Sequence, residues 1–152
     1  MAKKKKIIGA TDHIDLPEFN LDNVACKIDT GAATSTLHCR DVHLLEKDGT
    51  EYLCFRLYDP RFKIYDHQQY RFSQFRVRRV RSSNGLLDER YSIKTTVSLY
   101  QQKIKTEFTL SFREKMKFPI LLGKRFLRNR FLVDVSQNNL NYYQKIASAP
   151  AE

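Results

Sequence analysis

Between Ile104 and Phe112 the chain sets Ile104, Thr106, Phe108, Leu110 and Phe112 at every second position, with Lys105, Glu107, Thr109 and Ser111 between them. A period of two puts one set on one face of an extended strand and the other on the opposite face, a pattern that no helix can bury. Shorter runs repeat it. Val24, Cys26 and Ile28 alternate with Ala25 and Lys27, and Ile93, Thr95, Val97 and Leu99 alternate within Tyr91 to Leu99. Tyr52 to Tyr58 is rich in aromatic and apolar residues, and Phe75, Val77 and Val80 lie among arginines between Phe72 and Val80. Lys47-Asp48-Gly49-Thr50 and Ser82-Ser83-Asn84-Gly85 read as turns, and Tyr100 to Lys103 as a third hairpin connection. Helix signals are scarce; the one candidate is Lys124 to Asn129, directly after Gly123. Several strands joined by short turns predict an antiparallel sheet, a sandwich or a barrel.

At 152 residues the chain is the size of one domain. It has enough apolar content to fold without disulfides or a structural metal. Residues 1–6, with four consecutive lysines, read as a disordered basic tail, residues 7–147 as the domain, and residues 148–152 as a loose end. No stretch approaches the ~18 apolar residues that span a bilayer, so no membrane association is expected. Cys26, Cys39 and Cys54 form an odd set without a Cys-x-x-Cys pair, which suits buried thiols in a reducing compartment and a cytoplasmic location.

Chemistry concentrates in Lys27-Ile28-Asp29-Thr30-Gly31-Ala32. Here an acid stands at a strand end, in a turn where glycine lets backbone N–H groups approach a carboxylate. On these residues alone, a capping acid in an Asp-Gly-type turn explains the segment as well as a catalytic acid does. A second segment, Phe118-Pro119-Ile120-Leu121-Leu122-Gly123-Lys124-Arg125-Phe126-Leu127, is an apolar strand that ends at glycine, followed by a basic helical turn.

Together the two segments resemble the retropepsins, single-domain aspartic proteases with an Asp-Thr-Gly-Ala loop, a Ser or Thr three residues on (here Ser35), and a later apolar strand ending in Gly. A wider resemblance is to the bacterial family named for ATP-dependent zinc proteases and grouped with retropepsin-like aspartic endopeptidases. Leu16-Pro17, the Asp29 loop with Leu37-His38, Arg79 to Gly85 with Glu89-Arg90, Phe118 to Lys124, and Phe131 to Asp134 carry it. The resemblance implies a closed, mostly β barrel with one short helix after Gly123. It implies Asp29 as the catalytic acid, an active-site loop of Thr30, Gly31, Ala32 and Ser35, a supporting strand of Leu121, Leu122 and Gly123, and a flap at Ser82, Ser83, Asn84 and Gly85.

A single Asp-Thr-Gly supplies half of a catalytic pair, so the resemblance also implies a homodimer that brings Asp29 opposite its symmetry mate. Two carboxylates a few ångströms apart share a proton and act as one unit. One takes a proton from water while the other hydrogen-bonds the scissile carbonyl of a peptide. The chain departs from retroviral members at Ala33, where they carry an acid, and at Lys124, where they carry Arg; Arg125 stands one position later.

Zinc and ATP find no matching pattern: His-Glu-x-x-His and a phosphate-binding Gly-rich loop are both missing, and His13, His38, His43 and His67 are dispersed. No metal or cofactor is expected. The charge balance is strongly basic, with 27 Lys and Arg against 17 Asp and Glu, net +10. Arg76, Arg78, Arg79 and Arg81 are either a solvated strand face or a contact for an acidic substrate. Three functions are consistent with these residues: a homodimeric aspartic endopeptidase, a non-catalytic module of the same fold that binds acidic protein tails or regulates a glutamate ligase, and a basic barrel that binds RNA through Tyr70, Phe72 and Phe75.

Overall fold

A computed structural model describes residues 4–59, 64–65, 68–81, 84–112 and 116–148. In chain order the elements are β1 (Lys6–Ile8), β2 (Thr11–Leu16), β3 (Leu21–Ile28), β4 (Ser35–Lys47), β5 (Thr50–Asp59), β6 (Ile64–Tyr65) and β7 (Tyr70–Phe72). After them come β8 (Arg76–Arg81), β9 (Leu87–Leu99), β10 (Gln102–Ser111), β11 (Ile120–Leu122), α1 (Lys124–Leu127), β12 (Phe131–Val133) and α2 (Leu140–Ala147). A single 3-10 turn, Pro17–Phe19, joins β2 to β3.

Hydrogen bonding runs β10-β9-β2-β3-β11-β4, and β4 pairs back to β10, so the strands close a ring. Within the ring closure leaves no free edge, while β6, β7 and β8 pair outside it with β5 and β9. The expected alternation sets the inside. Ile104, Phe108 and Leu110 of β10 meet Ile93, Val97 and Leu99 of β9, with Ile14, Leu16, Cys26, Leu37, Ile120 and Leu122 filling the remaining wall. All three cysteines are buried free thiols.

Two hairpin turns form where the sequence signals them. Asp48 and Gly49 take φ of 51° and 80° between β4 and β5. Tyr100 and Gln101 take 52° and 62° between β9 and β10, an unusual conformation for two residues without glycine's freedom. Tyr100 is fixed from outside its turn. Its N–H donates to Asn141 Oδ1 at 2.8 Å and its hydroxyl to the Ile7 carbonyl at 2.8 Å.

Three features differ from the pattern reading. The run from Phe72 to Val80 is divided, because β7 pairs with β5 while β8 pairs with β9. β1 takes in Lys6, at the end of the stretch read as tail, because that strand pairs in parallel with β12. The second helix, α2, was not expected. Its N-cap, Asn139, takes φ 58° and makes no side-chain capping bond, and a distant residue supplies its anchor. Asp12, at an inward position of β2 and 1% exposed, accepts Asn141 N–H at 3.0 Å and Tyr142 N–H at 3.1 Å. A carboxylate on otherwise orphaned N–H groups at a helix start offsets the cost of burying its charge. Burial, reinforced by Asp12, also pushes the Tyr100 hydroxyl up to about 12.

One titratable side chain on the barrel wall ties stability to pH. His38 of β4 is 1% exposed, packed between the Tyr58 and Phe112 rings at 5.2 and 5.1 Å. Burial first, and the Arg40 charge second, hold its pKa below the ordinary histidine value. The unfolded chain therefore binds a proton that the folded chain refuses. Stability from this group is complete above the ordinary pKa and declines as pH falls through it toward the folded value.

Two outcomes are expected. Asp12→Ala lowers the urea midpoint by the equivalent of about 1–3 kcal/mol, and amide exchange speeds up first across α2. His38→Phe flattens the loss of stability on the acid side of neutrality relative to wild type, as read from urea midpoints in matched buffers.

Candidate active site

β3 delivers Asp29. The strand ends at Ile28, and the chain turns through Asp29-Thr30-Gly31 before β4 begins at Ser35. Two bonds fix the acid. Its N–H donates to the Leu122 carbonyl at 2.8 Å, and its Oδ1 accepts the Gly31 N–H at 3.0 Å. A side chain at Gly31 would stand 3.3 Å from that same oxygen, so glycine keeps the approach clear. Asp29 is half-buried, and Thr30 and Gly31 are exposed.

β11 inserts between β3 and β4, parallel to the first and antiparallel to the second. Leu122 fills the core, and Gly123 passes against the loop that carries Asp29. A Cβ on Gly123 would lie 2.6 Å from the Thr34 carbonyl oxygen and 2.8 Å from that of Ala32. At this contact Gly123 N–H donates to the buried Ser35 Oγ at 3.0 Å, Lys124 N–H to Ala32 O at 2.8 Å and Arg125 N–H to Ala33 O at 3.1 Å. The loop and the later strand, far apart in sequence, are thus one hydrogen-bonded unit. Asp29, Thr30, Gly31, Ala32, Ser35, Leu121, Leu122 and Gly123 all belong to it.

An open cavity of about 670 Å³ lies over Asp29. Five of the residues that line it with Asp29 are arginines: Arg78, Arg79 and Arg81 from β8, Arg90 from β9 and Arg125 from α1. β8 and β9 form a hairpin beside the acid. At its described end Gly85 takes φ 83°, and Asn84 Oδ1 accepts Leu86 N–H at 3.3 Å. Ser82 and Ser83 lie outside the described residues.

The arginines differ in how they are held. Arg78 meets Glu107 of β10 by two contacts of 2.9 Å, one through Nη2 and one through Nε. Arg79–Glu89 and Arg90–Asp88 are each 3.8 Å, and Arg81 donates to the Gly85 carbonyl at 3.4 Å. Arg90 and Arg125 were not singled out in the sequence as site residues. Arg90 figures there only within a stretch of the family resemblance and Arg125 only beside Lys124; they join the cavity through the β8–β9 pairing and the β11 insertion.

The other candidates fall elsewhere. Tyr70 turns into the core, with its ring 4.5 Å from Phe19, and presents no open face for a base. Arg76, Phe72 and Phe75 line a neighbouring cavity and not the one over Asp29. Among the described residues no three His, Cys, Asp or Glu side chains gather as a metal site would require. His67 lies outside the described residues. No helix among them is long and apolar enough to cross a membrane.

Comparison with known proteins bears on this geometry. A Desulfotalea psychrophila protein named a probable alpha-L-glutamate ligase is 28% identical over 130 residues, covering 86% of this chain and 28% of that one. A Shewanella halifaxensis protein of the same name is 27% identical over 138 residues, covering 91% of this chain and 30% of that one. The chain thus spans less than a third of the length of these curated relatives. A crystal structure of a Legionella pneumophila protein of unknown function shares the fold, with a TM-score of 0.69 and 22% identity over 91% of this chain and 99% of that one. The family model described as retropepsin-like aspartic endopeptidase RimB matches residues 7–144. The chain belongs to this RimB-like family.

Proposed function

We propose that the protein is a homodimeric aspartic endopeptidase that cleaves acidic, glutamate-rich peptide segments, with Asp29 of each chain forming the catalytic pair. The observation that carries this reading is the position of Asp29. A half-buried acid, fixed by Leu122 O and Gly31 N–H, stands under a cavity lined by five arginines. A binding site for acidic chains has no use for a carboxylate among its cations, whereas a hydrolytic site needs one.

The chemistry follows from pairing. With the partner's Asp29 opposite, one carboxylate draws a proton from a water lodged between them. The other, protonated, hydrogen-bonds the peptide carbonyl under attack. Thr30, exposed at the tip of the turn, is placed to brace the two loops against each other. Gly31 leaves room for a backbone to approach. The arginines select the substrate, since guanidinium groups pair with carboxylates in a planar, two-point fashion.

The relatives named as glutamate ligases support the acidic substrate, because the product of such a ligase carries added carboxylates. They also support a second reading, in which this domain is a non-catalytic module that holds the ligase's acidic chain. Asp29 separates the two, being dispensable to a module and essential to a peptidase.

Two outcomes are expected. Wild type cleaves a glutamate-rich peptide library and Asp29→Asn lowers the rate about 10²–10⁴-fold; cleavage undiminished in the variant sinks the aspartic mechanism. In sedimentation velocity the active species runs as a dimer, and peptidase activity falls with dilution in step with the dimer fraction. Full activity from a monomer would rule out the shared pair.

A further inference from the structure

The arginines over Asp29 are held unequally, and the tightest contact reaches outside the site. Arg78 lies in β8, the hairpin strand beside the acid, and its side chain lines the Asp29 cavity. Its two 2.9 Å contacts go to Glu107, whose side chain is 13% exposed and which lines a second cavity of about 630 Å³. Arg78 and Glu107 therefore stand on the wall between the two spaces. An acidic side chain entering the first cavity meets Arg78 with the Nε–Nη2 edge of its guanidinium already turned to a carboxylate of the protein's own, and must displace it to make a two-point pair on that edge.

Glu107 has an alternative partner. In the β9–β10 ladder Lys94 is directly opposite Glu107, and it lines the same second cavity. Residues opposite each other across an antiparallel pair carry Cβ atoms roughly 4.5–5.5 Å apart, within reach of a Glu–Lys contact. Lys94 is exposed, and no ion pair engages it among the described residues. Lys105, also at this cavity, already lies 3.8 Å from Glu18. If Glu107 swings from Arg78 to Lys94, one ion pair replaces another and no charge is left buried alone. Part-exposed pairs like these are individually weak, so the exchange costs little and a competing carboxylate can drive it.

We propose that Arg78 is the residue that reads an acidic side chain of the substrate, and that Glu107 is a built-in competitor that gives up Arg78 and takes Lys94 when the substrate binds. The inference rests on the acidic-peptidase reading and adds a specificity device to it. A neutral peptide has nothing to offer Arg78, so it leaves the Arg78–Glu107 pair closed and the hairpin tethered to β10. An acidic one opens the pair. The site thus discriminates by a partner exchange as well as by its net charge.

The test uses full-length protein carrying Asp29→Asn, so that a fluorescent octaglutamate peptide binds without being cut, with a Gln/Ser octapeptide as control. Glu107→Gln is expected to tighten octaglutamate binding about fivefold or more, and Arg78→Gln to weaken it. In the Arg78→Gln background the Glu107→Gln gain should vanish, since both act through one contact. Lys94→Gln is expected to weaken octaglutamate binding and leave the control peptide unmoved. A Glu107→Gln gain that persists without Arg78 is general electrostatics and overturns the exchange. Weaker binding of both peptides in Glu107→Gln marks a structural brace and overturns it as well. Octaglutamate bound equally with and without Glu107 retains the acidic-substrate reading and discards the competitor. Octaglutamate bound by no variant, while wild type cleaves neutral peptides, removes both the acidic preference and the exchange but keeps the peptidase.

Discussion

Everything at the site depends on the absence of one methyl group. Gly123 passes so close to Thr34 and Ala32 that a side chain would meet their carbonyl oxygens at 2.6 and 2.8 Å. That contact lets three consecutive N–H groups, those of Gly123, Lys124 and Arg125, dock on Ser35, Ala32 and Ala33. Backbone N–H groups need partners, and here they find them in the Ser35 hydroxyl and two loop carbonyls. The Asp29 loop has no regular structure of its own, yet it is held as firmly as a strand. Precise placement of an acid on a loop requires this kind of outside support.

The strands were legible in the sequence because their cause is local. Alternation at Ile104 to Leu110 and at Ile93 to Leu99 decides which face is buried whatever the neighbours do. Asp29 and Gly123 were legible for a different reason: both sit in short patterns whose chemistry tolerates few substitutes. What stayed hidden is long-range. α2 is anchored by Asp12, 129 residues upstream of Asn141, and no window of sequence contains both. Arg90 and Arg125 have no assigned role until the β8–β9 pairing and the β11 insertion bring them to the cavity, and Glu107 has none until it is found against Arg78 from the neighbouring cavity. The break between β7 and β8 was also unreadable, since one aromatic and basic run serves two different partner strands.

The net charge of +10 gains meaning from its distribution. A basic surface by itself speaks to solubility or to a loose attraction for polyanions. Five arginines around one cavity are a more specific statement, because each guanidinium has a fixed fork and little hydration to lose. The same crowding is unfavourable in the empty protein, and the acids Glu89, Asp88 and Glu107 moderate it. His38 sets a separate boundary. Its burial beside Arg40 makes pH values below the ordinary histidine pKa costly for the barrel itself.

The contacts that join β1 to β12 and Asp12 to α2 tie the first strands to the last helix. Loop-closure entropy of such long connections must be met before the contacts can reward it, so this topology assembles slowly. During synthesis β1 emerges well before β12, and Asp12 of β2 well before α2, so each waits for its partner. Until α2 has formed, the Asp12 carboxylate has no helix N–H groups to hold, and the buried charge on β2 goes uncompensated.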